Sequence, residues 1–344
     1  MASLPRPKLL SLGFAVPPGY FTQDQALEML GYTSSLSRRI FQNAGIGKRH
    51  FWVNPVGRSW QELCEEYEKG ALDLSLQSAQ KCLDGRDTKS VGLIVFCSVS
   101  GYTCPAMSYP IARDLGLPTD VVHTNIGGQG CQASVPGLHR AYDFAVVTGK
   151  TGLVLSTEIC SASYFPSSEE DIENTVCNAI FGDASSAALV GYDDDPRHPE
   201  ILDFESIYAP EHISLLGYKW VDGRLKAVLS KQVPVLVPPL IKQAVAALLN
   251  RNGLRVSDIE HWALHPGGKA VLENIEKELG LSREQTWASW EAMREFGNTS
   301  SATIGIIGKK VQKEGDKKGH IVAVSMGAGT GIEAALLRYG DGNS

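Results

Sequence analysis

Short runs of β-branched and other apolar residues recur along the chain, each followed by a stretch with helical spacing. Residues 91–97, 151–157, 187–190, 259–265 and 321–325 are apolar runs of strand length, the pattern of strands covered on both faces. Residues 134–147, 240–251 and 270–279 place apolar side chains on one helical face. Pro136 falls in the first turn of the earliest of these helices, where a missing N–H costs little. Strand runs alternating with helical stretches predict an α/β fold.

The order of these elements repeats. At an offset of 168, Val91-Gly92-Leu93-Ile94-Val95-Phe96-Cys97 lies over Ile259-Glu260-His261-Trp262-Ala263-Leu264-His265. Without a gap, Gly130-Cys131 then lies over Asn298-Thr299, and Leu153-Val154-Leu155 over Ile321-Val322-Ala323. Ala187-Ala188-Leu189 resembles Ala334-Ala335-Leu336 at an offset of 147. A repeat this long exceeds a solenoid unit and predicts two fused, related halves, residues 1–195 and 196–344. If the halves face each other, the loops bearing Cys131, His265 and Asn298 open at equivalent positions and converge on one site.

Bulk composition narrows the function classes. The 344 residues are 43% apolar and 20% charged, ordinary values for a globular chain with a large core. A net charge of −6 argues against nucleic acid or an anionic membrane surface as the main partner. No uninterrupted apolar run approaches the roughly 18–20 residues that span a bilayer. The first residues lack the basic region and apolar core of a secretory signal. The seven cysteines are odd in number, with no CxxC pair and no metal-ligand spacing, as expected of reduced thiols in a cytoplasmic protein.

Candidate chemistry centres on Gly127-Gly128-Gln129-Gly130-Cys131-Gln132-Ala133-Ser134. A cysteine after a glycine-rich turn, at the mouth of a helix, is placed where free N–H groups favour the thiolate. His265 follows an apolar run and precedes Pro266-Gly267-Gly268, so it sits at a strand end, where an imidazole can pair with a thiolate and donate to a thioester oxygen. Asn298, in Gly297-Asn298-Thr299-Ser300, offers a neutral amide donor to a developing oxyanion. Each has a structural alternative: a buried thiol, a satisfied strand-end histidine, a helix cap. His261 and His265 have zinc-like i,i+4 spacing, but on a strand they lie about 13 Å apart, and no HExxH glutamate accompanies them. No metal site is expected. Gly327-Ala328-Gly329-Thr330-Gly331 lacks the GxGxxG spacing of a dinucleotide loop.

These motifs carry a family resemblance. Gly130-Cys131, Phe181-Gly182-Asp183, His265-Pro266-Gly267-Gly268, Gly297-Asn298-Thr299-Ser300-Ser301-Ala302 and the closing Gly327-Ala328-Gly329-Thr330-Gly331 occur in the order found in type III polyketide synthases, the chalcone-synthase family of the thiolase superfamily. A β-ketoacyl-ACP synthase III would have HQAN at the histidine loop. The resemblance implies the thiolase fold, two pseudo-symmetric βαβ-type halves in a five-layered αβαβα arrangement. It implies a Cys131 thioester formed from an acyl-CoA starter, decarboxylative extension by malonyl-CoA with the enolate held by His265 and Asn298, and ring closure. Coenzyme A thioesters are then substrates, with no permanently bound cofactor.

By the same resemblance, Phe181 gates the cavity, and Val99, Ser163, Cys177, Ala227, Gly267, Gly268 and Ser300 line it. Val99, Cys177 and Ala227 replace threonine, glycine and phenylalanine of the plant enzymes, which implies an aliphatic starter and an alkylpyrone or alkylresorcinol-type product. Arg39 matches a CoA-phosphate position, Leu36 and Asn43 replace two others, and Arg38 or Lys48 compensates for them. Cys104 matches a loop that enters the partner's cavity, implying a homodimer. The competing readings are a condensing enzyme or acyltransferase that performs one step on Cys131, and a non-catalytic thiolase-like scaffold.

Overall fold

The computed structural model describes residues 5–166 and 168–340. Along the chain run β1 (Lys8–Ala15), β2 (Val91–Ser98), β3 (Val122–Gly127), β4 (Thr151–Glu158), β5 (Ala184–Gly191) and β6 (Glu200–Tyr208). A hairpin, β7 (Leu216–Val221) and β8 (Arg224–Leu229), stands apart from the main sheet. The strands β9 (Ile259–Leu264), β10 (His320–Gly327) and β11 (Gly331–Arg338) complete the main sheet. Its order is β9-β10-β11-β6-β1-β5-β4-β2-β3.

The sheet is continuous only through a narrow seam, where Lys8 of β1 meets Glu200 of β6. Outward from that seam the arms β1-β5-β4-β2 and β6-β11-β10-β9 have the same construction. In each, two antiparallel pairings are followed by a parallel one. Only the first arm is extended, by β3 running parallel to β2.

The layers follow from which face each side chain takes. Helix Trp60–Leu83 covers the first arm, with Leu63, Leu74, Ile94, Leu153 and Leu155 in a shared core. Helices Val233–Arg251 and Lys269–Leu279 cover the second arm over Ile241, Leu248, Trp262, Val322 and Val324. Between the arms lie helices Ser134–Thr148 and Thr303–Glu314, packed with Val95, Val154, Ile306 and Ala323. Helix, sheet, helix, sheet, helix is the expected five-layered arrangement.

Structural register corrects the repeat by one residue in its middle strand. The offsets of 168 for β2/β9 and 147 for β5/β11 hold, since Leu155 faces Ala187 as Val324 faces Ala334. Leu153-Val154-Leu155, however, corresponds to Val322-Ala323-Val324. Leu153, Leu155, Val322 and Val324 point outward, and Val154 and Ala323 inward. A one-residue slip would invert those faces. An ungapped alignment misses it because both strands are buried along nearly their whole length. The turn mirrored with Gly130–Gln132 is likewise Ser300–Ala302, each opening on a positive φ, 62° at Gly130 and 50° at Ser300. Asn298 lies just ahead of that turn rather than opposite Gly130.

Helices expected at 134–147 and 270–279 are present with nearly the same bounds. The helix expected at 240–251 begins seven residues earlier, at Val233, with Pro238 and Pro239 inside it. Prolines remove backbone donors and mask the pattern, which hid those turns. At its full length this helix has a mean hydropathy of 1.5 over 18 residues, enough by length and composition to cross a membrane, although Lys242 and Gln243 interrupt its apolar run. Its Val237, Ile241, Ala244, Val245 and Leu248 are buried in the outer core. Gly327-Ala328-Gly329-Thr330-Gly331 forms the β10–β11 connection between antiparallel strands, with no helix following it.

Candidate active site

Cys131, His265 and Asn298 line one cavity of about 620 Å³. The repeat explains the convergence. Cys131 sits in the turn that starts one inner helix, and Asn298 just ahead of the turn that starts the other. His265 is the first residue beyond β9, and its N–H bonds Val324 O at 2.9 Å. Val99, Cys177, Phe181, Ala227, Gly267 and Ser300 share the cavity wall.

The amide of Asn298 has a defined orientation. The Ser300 backbone N–H donates at 2.8 Å, so the acceptor facing it is Oδ1. Nδ2 then donates to Gly267 O at a long 3.4 Å. The Cys131 thiol, 3.9 Å away, donates to the same Oδ1. The backbone of Asn298 is bonded across to the other half, with Asn298 N–H on Ile180 O at 2.8 Å and Gly182 N–H on Asn298 O at 3.0 Å.

Burial sets the protonation state. Cys131 keeps partial exposure as a residue, but burial of its thiol pushes the pKa up to about 12, a hydrogen bond from Ser300 only partly opposing it. Burial pulls His265 down to about 3, and its Nδ1 has no hydrogen-bond partner among the described residues. Against the expectation of a thiolate favoured at the helix mouth, burial favours the neutral form of both groups without substrate.

A carboxylate that sequence reasoning missed braces this site. Glu158, fully buried at the end of β4, accepts from Ser301 Oγ at 2.6 Å, Ser300 Oγ at 3.2 Å and Ser98 Oγ at 3.4 Å, and from Val99 N–H at 3.1 Å and Ser100 N–H at 3.0 Å. Burial raises its pKa. An acidic residue closing the run Thr151-Gly152-Leu153-Val154-Leu155-Ser156-Thr157 was the available signal, since a carboxylate beside a buried strand needs donors around it.

A second chamber of about 490 Å³ adjoins the first. Cys177, Phe181, Tyr218 and Ala227 belong to both walls. Ser163 lines only the second, its hydroxyl 3.4 Å from Tyr218 Oη. Tyr218, on the hairpin strand β7, was also missed, because it lies in none of the motifs and outside the repeated elements of the main sheet. Gly268 caps helix Lys269–Leu279 beside the cavity without lining it. Arg39 is exposed on helix Ser35–Asn43. Lys48 places its ammonium over the Tyr20 ring at 5.2 Å. Cys104 is exposed and lines neither chamber. A crevice of about 790 Å³ between the inner helices, walled by Leu12, Val154, Ile304 and Ala323, touches none of Cys131, His265 and Asn298.

Comparison with known proteins identifies the family and the fold. Residues 58–194 match the family model for the N-terminal domain of chalcone and stilbene synthases, and residues 208–340 that for the C-terminal domain. A 3,5-dihydroxyphenylacetyl-CoA synthase of Streptomyces toyocaensis is 29% identical over 97% of this chain and 90% of its own length. A putative chalcone synthase of Bacillus subtilis is 27% identical over 96% of this chain and 98% of its own. Among solved structures, PKS-I of the brown alga Ectocarpus siliculosus superposes with a TM-score of 0.90 at 24% identity, covering 97% of this chain and 98% of that one. The 1,3,6,8-tetrahydroxynaphthalene synthase of Streptomyces coelicolor also reaches 0.90, at 22% identity over 97% and 99%. The chain belongs to the chalcone and stilbene synthase family and is a type III polyketide synthase, a transferase that extends acyl-CoA starters with malonyl-CoA and cyclises the product.

Proposed function

We propose that Cys131 carries the growing chain, with His265 and Asn298 as its partners. The carrying observation is that these three residues, from both halves of the repeat, line one cavity. Cys131 attacks the starter thioester, its S–H proton passes to His265, and the departing CoA thiolate takes that proton to leave as the thiol. Malonyl-CoA then loses CO₂, and its electron pair remains as an enolate whose oxygen accepts from His265 and from Asn298 Nδ2. The long bond from Nδ2 to Gly267 O is a weak one to give up. The enolate carbon attacks the Cys131 thioester, the C–C bond forms, and Cys131 sulfur leaves. A neutral imidazole suits both roles, and a buried cavity keeps the carbanion from water.

The starter is an aliphatic acyl-CoA and the product an alkylpyrone or alkylresorcinol. Val99, Cys177 and Ala227 on the wall, and a second chamber beside the first, support this reading. The activity of the Streptomyces relative supports a second one, a dihydroxylated phenylacetic product that leaves as its CoA thioester. Arg39 and Lys48 serve the CoA phosphates, and Cys104 reaches the cavity of a second copy in a homodimer. The halves divide at 195/196, and seven unpaired cysteines fit a reducing cytoplasm. Mass spectrometry after exposure to acetyl-, hexanoyl-, dodecanoyl- and hexadecanoyl-CoA tests the nucleophile and the starter together. An acyl adduct on Cys131, absent in Cys131→Ala, is expected. An adduct elsewhere, or product formed by Cys131→Ala, overturns the reading.

A further inference from the structure

Arg49 is fully buried, and its charge has no place in the chemistry proposed above. One terminal nitrogen, Nη1, donates to Asn178 O at 2.7 Å and to Phe181 O at 2.8 Å. Both carbonyls belong to the C-terminal end of helix Ile172–Ile180, where helical carbonyls lack partners and a cation is favoured. The guanidinium lies over the Phe41 and Phe51 rings at 5.6 and 5.0 Å. Its Nε and Nη2 have no hydrogen-bond partner among the described residues. The buried Asp183 carboxylate offsets part of the desolvation of Arg49, yet a buried cation with two unmet nitrogens is a poor way to add stability. Its placement therefore calls for another explanation.

That explanation lies one peptide away. Phe181, whose carbonyl Arg49 holds, is the residue at which the halves cross. Ile180 O and Gly182 N–H on either side of it bond the backbone N–H and carbonyl of Asn298. The fit is tight on both strands. A Cβ at Gly182 would lie 2.6 Å from Phe296 O. One at Gly297 would lie 2.6 Å from Ile180 O and 3.0 Å from Arg49 Cδ. The Arg49 stem thus fills the space under the crossing while its head ties down one strand.

We propose that Arg49 is a positioning residue for condensation, acting through the Phe181–Asn298 crossing to hold the Asn298 amide and the Phe181 side chain in place over Cys131. It touches no reacting atom. Cys131 and His265 are held by other elements, so loading of the starter does not depend on Arg49, whereas decarboxylation and extension do. The proposal rests on the reading of Asn298 as the enolate donor.

The test separates the two half-reactions in the purified full chain. Arg49→Lys keeps the charge but, one bond shorter, reaches at most one carbonyl. Arg49→Met keeps the packing and loses both bonds. Adduct formation on Cys131 is followed by mass spectrometry with the acyl-CoA that labels wild type best, and CO₂ release from malonyl-CoA is followed separately. Displacing a donor by a fraction of an ångström to 1 Å costs up to about a hundredfold. Adduct formation within about twofold of wild type is expected in both variants, with CO₂ release down about tenfold in Arg49→Lys and further in Arg49→Met. Equal loss of both half-reactions, no loss of either, or failure of both variants to fold assigns Arg49 to stability and overturns the proposal. Asn298→Ala serves as reference. If it releases CO₂ at the wild-type rate, the reading of Asn298 fails. If it is impaired while Arg49→Lys is not, only the Arg49 proposal fails.

Discussion

The Ser300 backbone N–H bonds Asn298 Oδ1 at 2.8 Å, and this one contact fixes which end of the amide is oxygen and which is nitrogen. Oxygen is committed to the backbone and to the Cys131 thiol, leaving nitrogen as the donor. Asn298→Ala removes that donor. Extension is expected to fall by about a hundredfold to a thousandfold, the usual cost of an oxyanion donor. Acyl transfer to Cys131 is expected to change much less, as rapid-quench measurement of the two steps would show. A parallel fall in both would place Asn298 in loading instead.

The Cys131 contact with Oδ1 favours a protonated sulfur, since a thiolate facing Oδ1 would be repelled. Burial pushes Cys131 up to about 12 and pulls His265 down to about 3, which favours the neutral pair over an ion pair at neutral pH. Alkylation of Cys131 by iodoacetamide is therefore expected to rise with pH throughout the range from about 6 to 9, tracking the thiolate fraction. A plateau near pH 6 or 7 would reveal a preformed thiolate–imidazolium pair and refute this.

Glu158 gathers five donors from β4's neighbours and the Ser300 turn. Glu158→Gln swaps one acceptor oxygen for an NH₂ group among groups that already donate. Leaving buried donors unmet costs about 1–3 kcal/mol. Urea denaturation should show a loss of that size, with slower extension because Ser300 orients Asn298. An unchanged midpoint would mean the hydroxyls simply rotate to accommodate the amide.

Asp183 is held by Ser161 and Trp52, yet burial raises its pKa to about 6. An unfolded aspartate titrates near 3.9. Because the folded value is the higher one, its contribution is present in full below about pH 4 and is lost as pH rises through about 6. The stability difference between wild type and Asp183→Asn should therefore shift against wild type by about 2–3 kcal/mol between pH 4 and pH 7. A constant or opposite difference across that range would contradict the assignment.

Tyr218 stands where the two chambers meet. Tyr218→Ala should merge them and move starter preference toward longer acyl-CoAs, read from product masses across the acyl series. Unchanged preference would mean that chain length is set elsewhere on the wall.

The sequence by itself determined the class of fold and singled out three residues that the structure brings to one cavity. Continuous apolar runs mark strands covered on both faces, and the glycine turns at Gly130 and Gly267 mark where they end, so Cys131, His265 and Asn298 were legible as ends of repeated elements. Local signals also carried the helices 134–147 and 270–279 almost to the residue. They failed where chemistry and packing disagree: at Pro238-Pro239 inside a helix, and in β4 and β10, whose apolar positions look alike in either register.

Only tertiary structure decided the rest. Desolvation is a property of the assembled site, so neutral Cys131 and His265 could not be read from a helix mouth. Glu158 and Arg49 are ordinary charged residues in the sequence. They acquire their roles because distant segments bring donors to one and carbonyls to the other. Tyr218 reaches the cavity from a hairpin outside the main sheet, where no repeat predicts its register. The periodic pattern determines which face of each strand is buried. Which polar groups meet inside depends on how the two halves are set against each other.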